Sequence, residues 1–119
     1  FCAKACQGVD LILHNAQIAE EAGDIKHFRQ INVDGTVNIA QAAKQAGIKT
    51  FVHLSTVLVY GFDYPENVTE SGVLSDENNA YCQTKIEAEI AVLKLNSPEF
   101  GVIIIRAGDV YGPGSIPWI

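Results

Sequence analysis

Positive charge is scarce in this sequence. Eight lysines and arginines stand against 14 aspartates and glutamates, for a formal net charge of −6, and the only arginines are Arg29 and Arg106. Without a basic patch to neutralise a phosphate backbone, nucleic acid is excluded as an expected partner. Cysteine is low and odd in number. Cys2, Cys6 and Cys82 come with no secretory signal, so a disulfide framework is excluded and reduced, buried thiols are expected. Long hydrophobic runs are missing too: residues 11–13 and 102–105 are of strand length, and no basic region followed by an apolar stretch opens the chain. A cytoplasmic protein without a membrane span is the expectation. His14, His27 and His53 lack ligand spacing with one another or with the cysteines, so no metal site is expected. Methionine is absent altogether, and with a start at Phe1 and an end on Pro117-Trp118-Ile119 the 119 residues read as a fragment of a longer chain.

What is present is a globular composition, 48% hydrophobic and 18% charged, in which short β-rich runs alternate with longer helical patterns. That alternation predicts an α/β fold with a parallel sheet and crossover helices. Residues 1–7 read as the end of a helix closed by Gly8, and residues 9–14 as a first strand. The unbroken Leu11-Ile12-Leu13 core calls for cover on both sheet faces. From about 25 to 46 the period is helical, with Phe28, Ile31, Ile39, Ala42 and Ala43 near one face and Gly47 at the C-terminal cap. Gly35 interrupts this pattern and predicts close packing or a break between two helices. Residues 50–55 form the second strand. The polar loop that follows, to about 78, is long enough to be functional or a lid, and its Asp63, Glu66, Glu70, Asp76 and Glu77 read as a solvated acidic surface. Asn79 caps a helix from 80 to about 95. Residues 101–106, with their Val102-Ile103-Ile104-Ile105 core, are the third strand, and 108–117 are loop.

The chemistry centres on Tyr81 and Lys85, which share one helical face because they stand four residues apart. A free phenol titrates near ~10 and is a poor base at neutral pH, and a fixed cation beside it favours the phenolate. The same spacing also suits a Tyr and a Lys that merely face solvent. Context separates the two readings. In an open parallel sheet, ligands sit beyond the carboxyl ends of the strands. Here those ends carry His14-Asn15-Ala16-Gln17, Ser55-Thr56, and Arg106-Ala107-Gly108-Asp109-Val110-Tyr111-Gly112-Pro113-Gly114. Right-handed crossovers would gather them beside the start of the Tyr81 helix. Cys82 lies about 100° round that helix and reads as packing, not as a nucleophile. Tyr81, Lys85, Ala88 and Val92 form one stripe of the helix; Ile86, Ile90 and Leu93 form a second, nearly opposite, which one sheet contact cannot bury. A homodimer through the helices at about 26–46 and 80–95 is the expected cover, with domains outside the chain as the rival.

In this order the motifs resemble the middle of an extended short-chain dehydrogenase/reductase, the group of NAD-dependent nucleotide-sugar epimerases and dehydratases and of 3β-hydroxysteroid dehydrogenase relatives. The resemblance rests on Gly8-Val9-Asp10 leading into His14-Asn15-Ala16, and on Asn32-Val33-Asp34-Gly35-Thr36-Val37-Asn38. It rests further on Phe51-Val52-His53-Leu54-Ser55-Thr56 running on to Val59-Tyr60-Gly61, on Tyr81-x-x-x-Lys85, and on Arg106 followed by Val110-Tyr111-Gly112-Pro113-Gly114. It implies a Rossmann-type doubly wound parallel sheet, of which residues 1–119 supply the central and C-terminal part of the dinucleotide-binding domain. The glycine-rich phosphate loop and the residue selecting NAD or NADP would precede Phe1, and the substrate domain would follow Ile119.

The resemblance further implies NAD or NADP as cofactor and a small-molecule substrate. Tyr81 would be the general acid/base, and Lys85 would hold the ribose hydroxyls and lower the tyrosine pKa. Thr56, four residues before Tyr60, would hydrogen-bond the reacting oxygen; Ser55 serves equally by type, and register favours Thr56. Asn15, Ala16 and Gln17 fall in the turn that lies against the dinucleotide, although the family more often has a small residue where Gln17 stands. Asn32 resembles a helix asparagine of the cofactor site that mainly supports the neighbouring strand, and a structural amide is its alternative reading. Ser55 and the backbone from Ala107 to Val110 complete the cofactor wall, with Asp109 facing substrate; Ala107 stands where proline is common. The implied activity is that of an NAD(P)-dependent oxidoreductase or epimerase acting on a secondary alcohol or ketone, foremost a nucleotide sugar. A steroid-like or other small carbonyl substrate is the alternative, and a non-catalytic dinucleotide-binding regulator is the reading from another class.

Overall fold

The chain begins with a short helix α1, Cys2–Ala5, closed by Gly8 at φ +68°. The computed structural model describes residues 1–20 and 23–114. The last part of the loop expected over 108–117, and the closing Pro117-Trp118-Ile119, lie outside the described residues. Strand β1 is Leu11–His14, two residues shorter at its start than the apolar pattern suggests. Asp24 then caps helix α2, Ile25–Phe28, its side chain accepting from the Lys26 amide at 3.1 Å.

Helix α2 does not stop at Phe28. It continues through a π-helical segment, Arg29–Gly35, into α3, Thr36–Gln45. Gly35 therefore neither breaks the helix nor packs tightly. Its φ of −59° is ordinary helix, and a Cβ built on it would meet only the Gln30 carbonyl oxygen at 3.8 Å. The irregularity in the sequence pattern marks the π segment instead, where one extra residue per turn shifts the apolar period. Gly47 behaves as expected: at φ +78° it lets its own amide reach the Lys44 carbonyl and that of Ile48 reach Ala43, each at 3.1 Å.

Strand β2, Thr50–Thr56, runs one residue beyond the expected end and passes into a single 3₁₀ turn, Val57–Val59. Helix α4, Ala80–Leu93, starts at the Asn79 cap, whose side chain accepts from the Cys82 amide at 3.1 Å. Strand β3, Gly101–Ala107, completes a parallel sheet of order β1-β2-β3. The register places Ile12, Phe51 and Val102 side by side, and likewise His14, His53 and Ile104.

Those residues face the helices. Phe51, Phe100, Ala40, Ala43 and Val92 form the buried core, with Ile12, Val102 and Ile104 packed against it. Burying such aromatic and aliphatic side chains contributes roughly 1.5–3 kcal/mol each, enough to hold α3 and α4 on the sheet. The opposite face is open along the outer strands β1 and β3. Leu13 is 62% exposed, and Ile103 and Ile105 are 50% and 45% exposed, so the second cover called for by the unbroken apolar runs is not supplied by the described residues. In the acidic loop Asp63, Glu66, Glu70 and Glu77 are exposed, whereas Asp76 is half-buried and accepts from the Asn78 amide at 2.9 Å.

One amide ties the layers together. Asn32, 1% exposed within the π segment, accepts from the Ile18 amide at 2.8 Å and donates to the Ile18 carbonyl at 3.1 Å and to Thr84 Oγ1 at 3.2 Å. It thus fixes the stretch after β1 against α4, one residue short of Lys85. Replacing it strands buried partners, and a lost partner costs about 1–3 kcal/mol. Asn32→Ala is expected to lower unfolding stability by about 2–3 kcal/mol. Urea denaturation checks this as a reduced midpoint at unchanged slope.

Candidate active site

The carboxyl ends of β2 and β3, with Gln17 from the stretch after β1, open on one concavity of about 520 Å³. Of the residues singled out from the sequence, Gln17, Ser55, Thr56, Tyr81, Ala107 and Val110 line it, together with Asp109. Lys85 joins them through a hydrogen bond from Nζ to Gln17 Oε1. Asn15 and Ala16 are exposed and stand outside this wall; Ala16 instead borders a separate hollow beside His14 and Ile31. Asn32 also stands outside it, with its amide committed to Ile18 and Thr84. These contacts are those of a buried amide that supports the stretch after β1 and the start of α4.

Tyr81 and Lys85 lie on one face of α4 because of their four-residue spacing, and the helix presents that face to the tip of β2. Lys85 is 1% exposed, and its ammonium donates to the Leu54 carbonyl at 2.6 Å. Burial pulls its pKa down to about 8, against the opposing pull of Glu89 one turn further on. Two of its three N–H groups are thus committed, to Leu54 and to Gln17.

The phenol behaves differently from the expectation drawn from spacing alone. Burial pushes the Tyr81 pKa up, and hydrogen bonding from Thr56 and Gln17 opposes the rise. Of the two hydroxyls left open by type, Thr56 is the one that reaches the phenol; its Oγ1 also accepts from the Leu58 amide at 3.2 Å. Ser55 Oγ is buried without a hydrogen-bond partner. Cys82 is fully buried, and burial raises its thiol pKa, as suits a packing residue.

Two supporting features went unread in the sequence. Glu89, 1% exposed, pairs with Arg106 at 2.6 Å, and Arg106 also donates to the Tyr60 hydroxyl at 2.5 Å and the Glu70 carbonyl at 2.9 Å. This joins the end of β3, the turn after β2 and the long loop to α4. The available signal was a carboxylate four residues beyond Lys85 on an otherwise buried stripe. The second feature is a histidine stack beneath the site. His14 and His53 rings lie 5.8 Å apart at 21°, and His14 Nε2 bonds Thr36 Oγ1 at 2.9 Å. His53, 2% exposed, has no partner for either nitrogen. Among the described residues no group of three or more His, Cys, Asp or Glu is placed to hold a metal ion, and no helix is long and apolar enough to cross a membrane.

A model of the NAD dependent epimerase/dehydratase family matches residues 2–117. The chain belongs to that family. It is 32% identical over 115 residues to "3beta-hydroxysteroid dehydrogenase/Delta(5)-Delta(4) isomerase 1" of Caenorhabditis elegans, a match covering 92% of this chain and 25% of that protein. Against the Mus musculus dTDP-D-glucose 4,6-dehydratase it is 33% identical over 113 residues, covering 92% and 32%. Among solved structures, UDP-glucuronic acid 4-epimerase from Bacillus cereus in complex with NAD superposes with a TM-score of 0.86 at 27% identity, over 98% of this chain and 37% of that one. The three parallel strands and their helices are thus a Rossmann-like arrangement. The chain spans a quarter to a third of the length of these two curated family members.

His53 makes this part of the family fold sensitive to acid. Burial first, then Lys85 and His14, lower its pKa from 6.5 to about 3. The unfolded chain therefore takes up the proton more readily than the folded one. Stability is full above about 6.5 and is lost as pH falls towards 3. Between pH 7 and pH 5 the loss attributable to this ring is about 2 kcal/mol. His53→Leu is expected to remove that share of the pH dependence without lowering stability at pH 7, as read by denaturant titrations at the two pH values.

Proposed function

We propose that this chain carries the acid/base centre of an NAD(P)-dependent oxidoreductase or epimerase acting on a secondary alcohol or ketone, foremost in a nucleotide sugar. The observation carrying this reading is that Tyr81 and Thr56 line one cavity on the strand tips, with the buried Lys85 ammonium joined to its wall through Gln17. Structural likeness to an epimerase solved with NAD and sequence likeness to a dTDP-glucose dehydratase support the sugar-nucleotide class. Likeness to a hydroxysteroid dehydrogenase supports the steroid-like alternative.

The donor set fits a nicotinamide nucleotide. A buried ammonium beside a cavity suits ribose hydroxyls, which accept hydrogen bonds without adding charge. Gly108, with nothing within 4 Å of a Cβ built on it, leaves the wall open near Ala107 and Val110. Lys85, Ser55 and the Ala107 to Val110 backbone would hold the cofactor, with Gln17 on Lys85 beside it, Asn15 and Ala16 at the margin and Asn32 in support. When bound, the nicotinamide ring supplies or accepts hydride at the carbon carrying the reacting oxygen.

The chain's own residues handle the proton. Burial keeps Tyr81 protonated at neutral pH, so the phenol can give a proton to a carbonyl oxygen. Thr56 accepts from Leu58 through a lone pair, which leaves its own hydrogen for the phenol oxygen or the substrate oxygen. In the opposite direction the hydrogen bonds from Thr56 and Gln17 favour the phenolate that takes the proton back.

The same reading extends to assembly. Ile90 and Leu93 of α4, 49% and 48% exposed, and Ile31 of the preceding helix, 37% exposed, are apolar side chains left uncovered on the two helices, as suits contact with a second copy of the chain. A homodimer is expected in sedimentation equilibrium, with Ile90→Glu driving dissociation; a concentration-independent monomer overturns this part. For the chemistry, Tyr81→Phe in the complete protein is expected to cut kcat by about 10²-fold or more while leaving dinucleotide binding in place. Unchanged turnover overturns the acid/base assignment.

A further inference from the structure

Gln17 is the one polar side chain on the cavity wall that departs from the small residue the family pattern favours at this position, and the structure gives it a definite occupation. Its Oε1 accepts from the Lys85 ammonium, and its side chain also favours the charged form of the Tyr81 phenol. It therefore spans the two groups whose spacing defines the site, although it lies 68 residues from Lys85 in sequence.

A donor count shows what this contact does. An ammonium has three N–H groups. One is fixed on the Leu54 carbonyl, a main-chain atom of β2 that cannot leave without breaking the sheet. A second is held by Gln17, leaving one. A vicinal diol that takes two hydrogens from Lys85 must displace something, and between a strand carbonyl and a side-chain amide on a connecting segment the amide is the group able to move. Gln17 can turn away by rotation of its own side chain, because it lies after the end of β1.

We propose that Gln17 is a positioning and affinity-setting residue: it occupies Lys85 in the diol-free state, holds Lys85 and Tyr81 in register, and yields its place when a ribose diol binds. The proposal rests on the nucleotide reading above. It adds a cost to cofactor loading that a small residue at this position does not impose. It also links occupancy to the proton-transfer group, since the amide that leaves Lys85 shares the cavity wall with Tyr81.

The test uses the complete protein and whichever of NAD and NADP it binds, with titration calorimetry as the readout. Gln17→Ala is expected to tighten dinucleotide binding by roughly two- to tenfold, the equivalent of one net hydrogen bond no longer displaced. Gln17→Glu sets a carboxylate on the same ammonium and is expected to weaken binding by roughly tenfold or more. An analogue whose nicotinamide ribose lacks both hydroxyls does not need the second hydrogen of Lys85. Its affinity is expected to be the same for wild type and Gln17→Ala. Weaker or unchanged dinucleotide binding by Gln17→Ala overturns the proposal, as does an equal gain for the diol-free analogue. If the unsubstituted protein binds neither NAD nor NADP, the nucleotide reading itself falls and takes this proposal with it.

Discussion

A single buried charge organises this structure. The Lys85 ammonium is almost wholly removed from water, and a charge in that position is tolerable only with firm hydrogen-bond partners. The Leu54 carbonyl provides one, at 2.6 Å, and so pins the second turn of α4 to the tip of β2. Everything chemically suggestive is measured from that pin. Tyr81 lies one turn back along the helix, Thr56 two residues on along the strand, and Gln17 closes the triangle from the β1 side. Even so, burial lowers the lysine pKa to about 8, so the fold holds this cation against its solvation preference, as functional groups often are.

Two further polar contacts keep the helix from sliding. Asn32 grips Thr84 from the π segment, on the side of the first strand. Glu89 grips Arg106 on the side of the third. Each is a buried polar group with its partners in place, which makes it specific about geometry where apolar packing tolerates a shift. The hydrophobic core made by Phe51, Phe100 and Val92 decides that α4 lies on the sheet; the polar contacts decide where along the sheet it stops.

The architecture was legible because its signals are local. The Asn79 cap, the Gly47 terminator and the Val102-Ile103-Ile104-Ile105 run each announce an element through backbone chemistry that needs no tertiary partner. The grouping of Tyr81, Thr56 and Gln17 at one edge followed from parallel topology. Less legible were effects set by burial. Spacing alone pointed to a phenol made more acidic by Lys85, yet how far the ring is desolvated is a fact of packing. Gly35 misled for a related reason: a glycine within a helical period reads as a break, whereas the chain absorbs the irregularity as a wider turn. The paired Glu89 and Arg106 sit in different elements, and no local pattern joins them.

The wider turn has a consequence for how this sequence can change over time. Seven residues of π geometry put Asn32 in position to face Ile18 and Thr84 while the following helix turns Ala40 and Ala43 into the core. Removing one residue there would restore ordinary helical bonding, which is locally favourable, but would rotate everything on one side by about 100° relative to the other. Either the amide clamp or the alanine face would then be lost. Natural variation through residues 29–35 should therefore proceed by exchange of side chains at constant length, and a one-residue gap in that stretch would signal a descendant that has rebuilt the support of its lysine.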